Sequence, residues 1–180
     1  MGDVIVLAMH GAPPTDFPRQ EIGELFILHL RLAHTRGPER TALEQRVAEL
    51  DARVRAWPRT PQNDPFYAGS LDLAAHLERV AGCPVIVGFN EFCAPSLDEA
   101  LDRAAALADG RVVVVTPMVT RGGEHSEVDI PAAIQRARER HPQTLIVYAW
   151  PYSIGAVAQL LADHIRLATA VPSLSTKTLE

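Results

Sequence analysis

Residues 112–131 read Val112-Val113-Val114-Val115-Thr116-Pro117-Met118-Val119-Thr120-Arg121-Gly122-Gly123-Glu124-His125-Ser126-Glu127-Val128-Asp129-Ile130-Pro131. An unbroken β-branched run, then a glycine turn, then an acidic helix entry is the order of a strand feeding a helix. The run does not alternate apolar with polar, so it reads as a strand covered on both faces. Asp129 is the expected N-cap of the helix that follows, with Pro131 tolerated in its first turn. Gly122 and Gly123 permit a tight turn around a bound group, and His125 comes directly after them.

The same unit repeats on either side. Residues 85–89 form an apolar run that leads through Asn90-Glu91 to a helix over 96–108, where Ser96 and Glu99 form a capping box. Residues 144–149 form another, followed by Pro151 and a helix over 153–167. The chain opens with a run over 3–9 that ends in His10-Gly11-Ala12-Pro13-Pro14. Between this first strand and Glu91 the pattern turns helical. A helix is expected over 17–34, and its stretch Leu25-Phe26-Ile27-Leu28-His29-Leu30 is apolar on nearly every side. Gly37-Pro38 breaks it. A second helix is expected to start at a capping box of Thr41 and Glu44, with Leu43, Val47, Leu50, Val54 and Trp57 as a core stripe. Three prolines make 57–67 an extended loop before a helix over 70–81.

Strands alternating with helices imply an α/β fold: a doubly wound, mostly parallel four-stranded sheet with helices on both faces. Residues 1–170 read as one domain with a helical insertion at about 16–67, and 171–180 as a tail that frays. No internal repeat is visible.

Composition narrows the function. A net charge of −5 argues against nucleic acid and anionic membranes as partners. No apolar run approaches the roughly 20 residues that cross a bilayer, and the N-terminus lacks a basic leader, so a cytoplasmic location is expected. Lys177 is the only lysine, so the cations are arginines, suited to carboxylates although genomic base composition gives the same bias. The two cysteines, Cys83 and Cys93, form no Cys-x-x-Cys.

Ligands in open α/β sheets bind beyond the carboxyl ends of the strands. His10, Glu91 and His125 each stand just past such an end, so residues more than a hundred positions apart would share one crevice. Two imidazoles and a carboxylate form a partial cage for a borderline transition metal, with coordination positions left open. Each has an ordinary alternative. His10 could be a structural histidine, but Gly11 lets the backbone approach a ligand closely. Glu91 could be solvated or cap a helix, but Phe89 and Phe92 suggest apolar surroundings suited to proton transfer. Glu124 and Glu127 read either as exposed helix-entry charges or as partners that orient His125. Cys93 reads as a small buried hydrophobe with a lesser claim on the metal. His29, His34, His76, His141 and His164 read as surface or packing residues. Nucleophile-elbow, P-loop, dinucleotide and His-Glu-x-x-His patterns do not occur in the chain.

The stretch Pro117–Pro131 resembles the signature Pro-x-x-x-x-x-Gly-x-His-x-x-x-Asp-Ile-Pro of the class II tetrapyrrole chelatases, the CbiX and SirB type of sirohydrochlorin cobalto- and ferrochelatases. The opening strand with His10-Gly11 is similar to that family's start. Phe89-x-Glu91 with Pro95-Ser96-Leu97 resembles its second segment, and Tyr148-Ala149-x-Pro151 its closing strand. The chain departs at Ala12, where the family usually has serine. It also departs in the longer segment before Glu91, whose Asn63-Asp64-Pro65-Phe66 resembles the protoporphyrin-type ferrochelatases.

The resemblance implies a lyase that inserts Co²⁺, Fe²⁺ or Ni²⁺ into a tetrapyrrole, sirohydrochlorin first, for cobalamin or sirohaem synthesis. His10, Glu91 and His125 would hold the metal, which is a substrate; no tightly bound cofactor is implied. Gly11, Gly122 and Gly123 would border the ring, and Arg121, with Arg19, would clamp its carboxylates. A homodimer is implied, with the apolar helix near Leu25–Leu32 as interface or pocket cover. A porphyrin-metallating enzyme and a non-catalytic metal or tetrapyrrole carrier are the alternatives.

Overall fold

The computed structural model describes residues 2–170; the tail assigned to 171–180 lies outside them. The strands are β1 (Val4–Met9), β2 (Val85–Phe89), β3 (Arg111–Val115) and β4 (Leu145–Tyr148). They form one sheet in the order β2-β1-β3-β4, every pair parallel. β1 is central, with Ile5 opposite both Val85 and Val113. All its residues but Ile5 are buried, as its unbroken apolar run requires.

Helices α4 (Leu97–Leu107) and α5 (Ile130–Arg140) cover one face, where Val4, Val6, Ala8, Val112, Val114 and Ile146 meet Leu101 and Ile134. A Cβ on Gly88 would lie 2.7 Å from that of Ala100, so this glycine is what brings α4 so close to β2. On the other face, α3 (Pro65–Ala81) sets Ala74 and Leu77 against Leu7, Val87 and Phe89.

A third apolar cluster stands beyond the sheet. Helices α1 (Arg19–His34) and α2 (Pro38–Arg55) pack Leu25 and Leu28 on Leu43, Leu50 and Val54, with Phe17 and Phe92 closing the ends. The stripe expected on α2 is thus its packing face. On α1 only Leu25 and Leu28 are buried, while Phe26, Ile27 and Leu30 stay exposed.

Three local expectations need correction. α2 starts at Pro38, after Gly37 at φ 74°, so Thr41 is already inside the helix and caps nothing. Proline is preorganised for a first helical position, and that outweighs the Thr41–Glu44 pattern. Glu44 pairs with Arg40 instead, at 2.7 Å. α3 starts five residues before Ser70, because Asp64 accepts from the Tyr67 amide at 2.8 Å and Pro65 follows it. The capping box of Ser96 and Glu99 forms as expected. Asp129 is helical and caps nothing; it ends a π turn, His125–Asp129, that runs straight into α5.

The last helix, α6 (Ile154–Ala170), contains no buried residue, although Ile154, Leu160, Leu161, Ile165 and Leu167 are large and apolar. Among the described residues, no helix is long and apolar enough to cross a membrane.

A candidate metal centre beyond three strand ends

β1, β2 and β3 deliver His10, Glu91 and His125 to one place. A ligand atom from each lies within 4.8 Å of the others. Glu91 is the middle member: its Oε1 is 2.9 Å from His10 Nδ1 and 3.5 Å from His125 Nε2. The two imidazoles meet edge to face, ring centres 4.4 Å apart. All three remain partly open to solvent, His10 the most, with 48% of its side chain exposed.

Each loop is fixed differently. The first two are tied together: the Asn90 amide donates to the Met9 carbonyl at 2.9 Å, and the Glu91 amide to that of His10 at 3.0 Å. Gly11, at φ 108°, makes this possible, since a Cβ there would lie 1.8 Å from the Glu91 carbonyl oxygen. The close approach at Gly11 is therefore to the backbone that carries Glu91.

The third loop depends on the π turn. The Ile130 amide donates to the His125 carbonyl five residues back, a wide turn of a kind common at functional sites. Asp129 Oδ2 then sits 2.6 Å from His125 Nδ1. A carboxylate at that nitrogen holds the proton there and leaves Nε2, the atom facing Glu91, with its lone pair free for a metal. Of the two glutamates considered for this role, Glu127 instead accepts from the Gly122 amide at 3.0 Å, shaping the turn, and Glu124 lies exposed.

Aromatic residues at and just after the end of β4 hold the same loop. Tyr148 donates to the Ser126 carbonyl at 3.0 Å, Trp150 to that of Met118 at 3.1 Å, and Tyr152 to that of Thr116 at 2.8 Å. Burial, helped by the neighbouring Tyr152, pushes the Tyr148 phenol up to about 12.

Glu91 and His125 also line a cavity of about 430 Å³ whose far wall is α1 and α2, with His29, Glu44, Asp51 and Arg55 facing it. His29, expected to be a bystander, belongs to that wall. Other expected residues lie elsewhere. Arg19 borders a separate hollow with Pro13, Phe17 and Ile22. Arg121 rests over the Trp150 ring, 6.0 Å from its centre, and lines a hollow against α6. Cys93 is buried, its Sγ 3.5 Å from the Ala12 carbonyl, and burial pushes its thiol up. A larger hollow of about 470 Å³ lies between α3 and α6, but apolar side chains line nearly all of it and none of the three residues reaches it.

A family model described as CbiX matches residues 65–168, more than half of the chain. The chain belongs to the CbiX family.

The CbiX match takes in Glu91 and His125 and begins at the start of α3; β1 with His10, α1 and α2 precede it. Over 66 residues the chain is 36% identical to a sirohydrochlorin cobaltochelatase of Priestia megaterium, covering 37% of this chain and 21% of that protein. Over 80 residues it is 26% identical to a sirohydrochlorin ferrochelatase of the same organism, covering 44% and 30%. The chain thus spans less than a third of the length of the curated relatives it matches. The crystal structure of a CbiX protein from Marinobacter aquaeolei VT8 superposes with a TM-score of 0.50 at 18% identity, over 93% of this chain and 97% of that one. That likeness is one of fold.

Proposed function

We propose that this chain inserts a divalent metal, Co²⁺ or Fe²⁺ with Ni²⁺ as a further candidate, into a tetrapyrrole. Sirohydrochlorin, named for both curated relatives, is the first choice of ring. The observation that carries the reading is the convergence of His10, Glu91 and His125 beyond three adjacent strands.

The chemistry suits that set. The incoming metal must exchange water for ring nitrogens while two pyrrole N–H protons leave. Imidazole and carboxylate ligands bind such ions without enclosing them. Tight, closed coordination would hold back a metal that is a substrate. His125 Nε2 is set as an acceptor by Asp129. Glu91, between two imidazoles, can ligate the metal or accept a pyrrole proton. Gly11 borders the centre on the loop after β1, and Gly122 and Gly123 precede His125 on the loop after β3; Arg19 and Arg121, which line other hollows, take no part in this reading.

We also infer a homodimer in a cytoplasmic setting. The support for the dimer is the uncovered apolar surface of α6, with Leu145 and Val147 of β4 also exposed. This face is broader than the Phe26, Ile27 and Leu30 surface left on α1. Light scattering on the purified protein checks it, and a monomer at micromolar concentration would end it.

The deciding experiment mixes protein with sirohydrochlorin, and separately with coproporphyrin, adding Co²⁺, Fe²⁺ or Ni²⁺ and following the absorption change of metallation. Turnover on sirohydrochlorin that collapses in folded His10→Ala and His125→Ala proteins is the expected result. Turnover confined to the porphyrin would change the ring. Stoichiometric binding with no acceleration over free metal and ring would make the protein a carrier.

A further inference from the structure

We propose that Arg55 and Arg59 are positioning residues for the metal centre: two guanidinium groups that fix the backbone presenting Glu91. The proposal rests on the reading of His10, Glu91 and His125 as the metal-holding set.

Arg59 is nearly buried, with 7% of its side chain exposed, and forms an ion pair with Asp64, of which 1% is exposed. It does more than neutralise Asp64. One terminal nitrogen of Arg59 donates to the Ala12 carbonyl at 2.7 Å, two residues after His10. The other donates to the Val54 carbonyl at 2.9 Å and to that of Phe92, the residue after Glu91. Arg55 works from the next turn of chain. Its terminal nitrogens donate to the Asn90 carbonyl at 3.1 Å and to that of Cys93 at 2.6 Å, while Asp51 holds its Nε at 2.7 Å. The carbonyls on both sides of Glu91 are therefore each held by an arginine.

The loop needs holding. Phe92 has φ 57°, the left-handed region that a phenylalanine adopts at a cost. Lysine is a compact point donor and does not replace a planar fork that reaches three carbonyls and a carboxylate. Planar, preorganised donors suit backbone that must present one carboxylate between two imidazoles. Both arginines lie at or just after the end of α2. The helical segment between β1 and α3 thus acts on the centre through its last residues as well as by walling the cavity.

Arg59→Lys keeps the charge opposite Asp64 but loses the fork. Arg59→Met with Asp64→Asn removes both charges of the buried pair together and keeps a side-chain oxygen to cap α3 at the Tyr67 amide. Both would be compared with wild type and with His10→Ala by three measurements: Co²⁺ titration, the visible d–d band of bound Co²⁺, and separate KM values for metal and ring. Expected for both is a folded protein whose Co²⁺ affinity falls at least about tenfold, with an altered d–d band. KM for the metal should rise while that for the ring stays put. Folded Arg59 variants with wild-type Co²⁺ affinity and spectrum would overturn the proposal. Should they fail to fold, Arg55→Gln, whose side chain is partly exposed, carries the test alone: unchanged Co²⁺ affinity and spectrum refute it. If His10→Ala itself binds Co²⁺ as wild type does, the metal-centre reading is what has failed.

Discussion

His125 Nδ1 and Asp129 Oδ2 lie 2.6 Å apart, across the single π turn that leads into α5. The residue that looked like a helix cap thus holds the imidazole of His125, the proposed ligand for the metal. Asp129→Asn keeps the shape and removes the charge. Outer partners of this kind typically carry about 10–100-fold in metal affinity. The expected result is a rise of that order in KM for Co²⁺, with far-ultraviolet circular dichroism unchanged. A variant with wild-type KM for the metal would show that the contact is incidental.

Gly11→Ala should damage the fold and the centre together. Its Cβ would lie 1.8 Å from the Glu91 carbonyl, at a φ that L side chains rarely adopt. Overpacking alone costs roughly 1–3 kcal/mol, and backbone offers less room to yield than a side chain. Thermal melting should show the loss, and any folded fraction should bind Co²⁺ weakly. An alanine protein that melts with wild type would contradict this geometry.

Ser96→Ala tests a feature away from the ligands. The Ser96 hydroxyl accepts from the Glu99 amide at 3.3 Å, and the Glu99 carboxylate takes the Ser96 amide at 2.7 Å. Loss of such a cap costs about 1 kcal/mol, which lowers Tm by about 2–4 °C in a domain of this size. Metal affinity should not change.

Alkaline stability follows from Tyr148. Its pKa stands near 12 in the folded protein against 10.0 for the free phenol. Folding therefore retains a proton that the unfolded chain gives up first. The contribution is whole below pH 10 and is lost as pH rises toward 12. Denaturant midpoints should fall across that window, and Tyr148→Phe should fall less steeply while starting lower, having lost its bond to Ser126. Parallel curves for the two proteins would assign the alkaline loss to other groups.

Much of the site was legible because the strands are unbroken apolar runs. Such runs fix the sheet, and in a parallel sheet the residues after each strand must meet at one edge. That is why His10, Glu91 and His125 could be placed together without coordinates. The Ser96–Glu99 box was legible because it is a local rule acting within a few residues; the close approach at Gly11 was legible too, but its partner, the Glu91 carbonyl, came only with the fold. The Thr41–Glu44 pattern failed since a better local signal, Gly37-Pro38, lay just before it. Arg59 and Asp64 left no such mark. In sequence they are two charges in a proline-rich loop, and only the folded chain shows their side chains buried against the backbone of Ala12 and Phe92.

The amino-acid order by itself determined the parallel sheet, the edge at which ligands gather and the kind of donor found there, since apolar periodicity and strand polarity act through nearest neighbours. Tertiary structure decided which carboxylate orients His125, which arginines hold the backbone around Glu91, and which apolar helix face stays uncovered. Those depend on where distant segments come to lie, and a side chain's partners are chosen by packing, not by spacing along the chain.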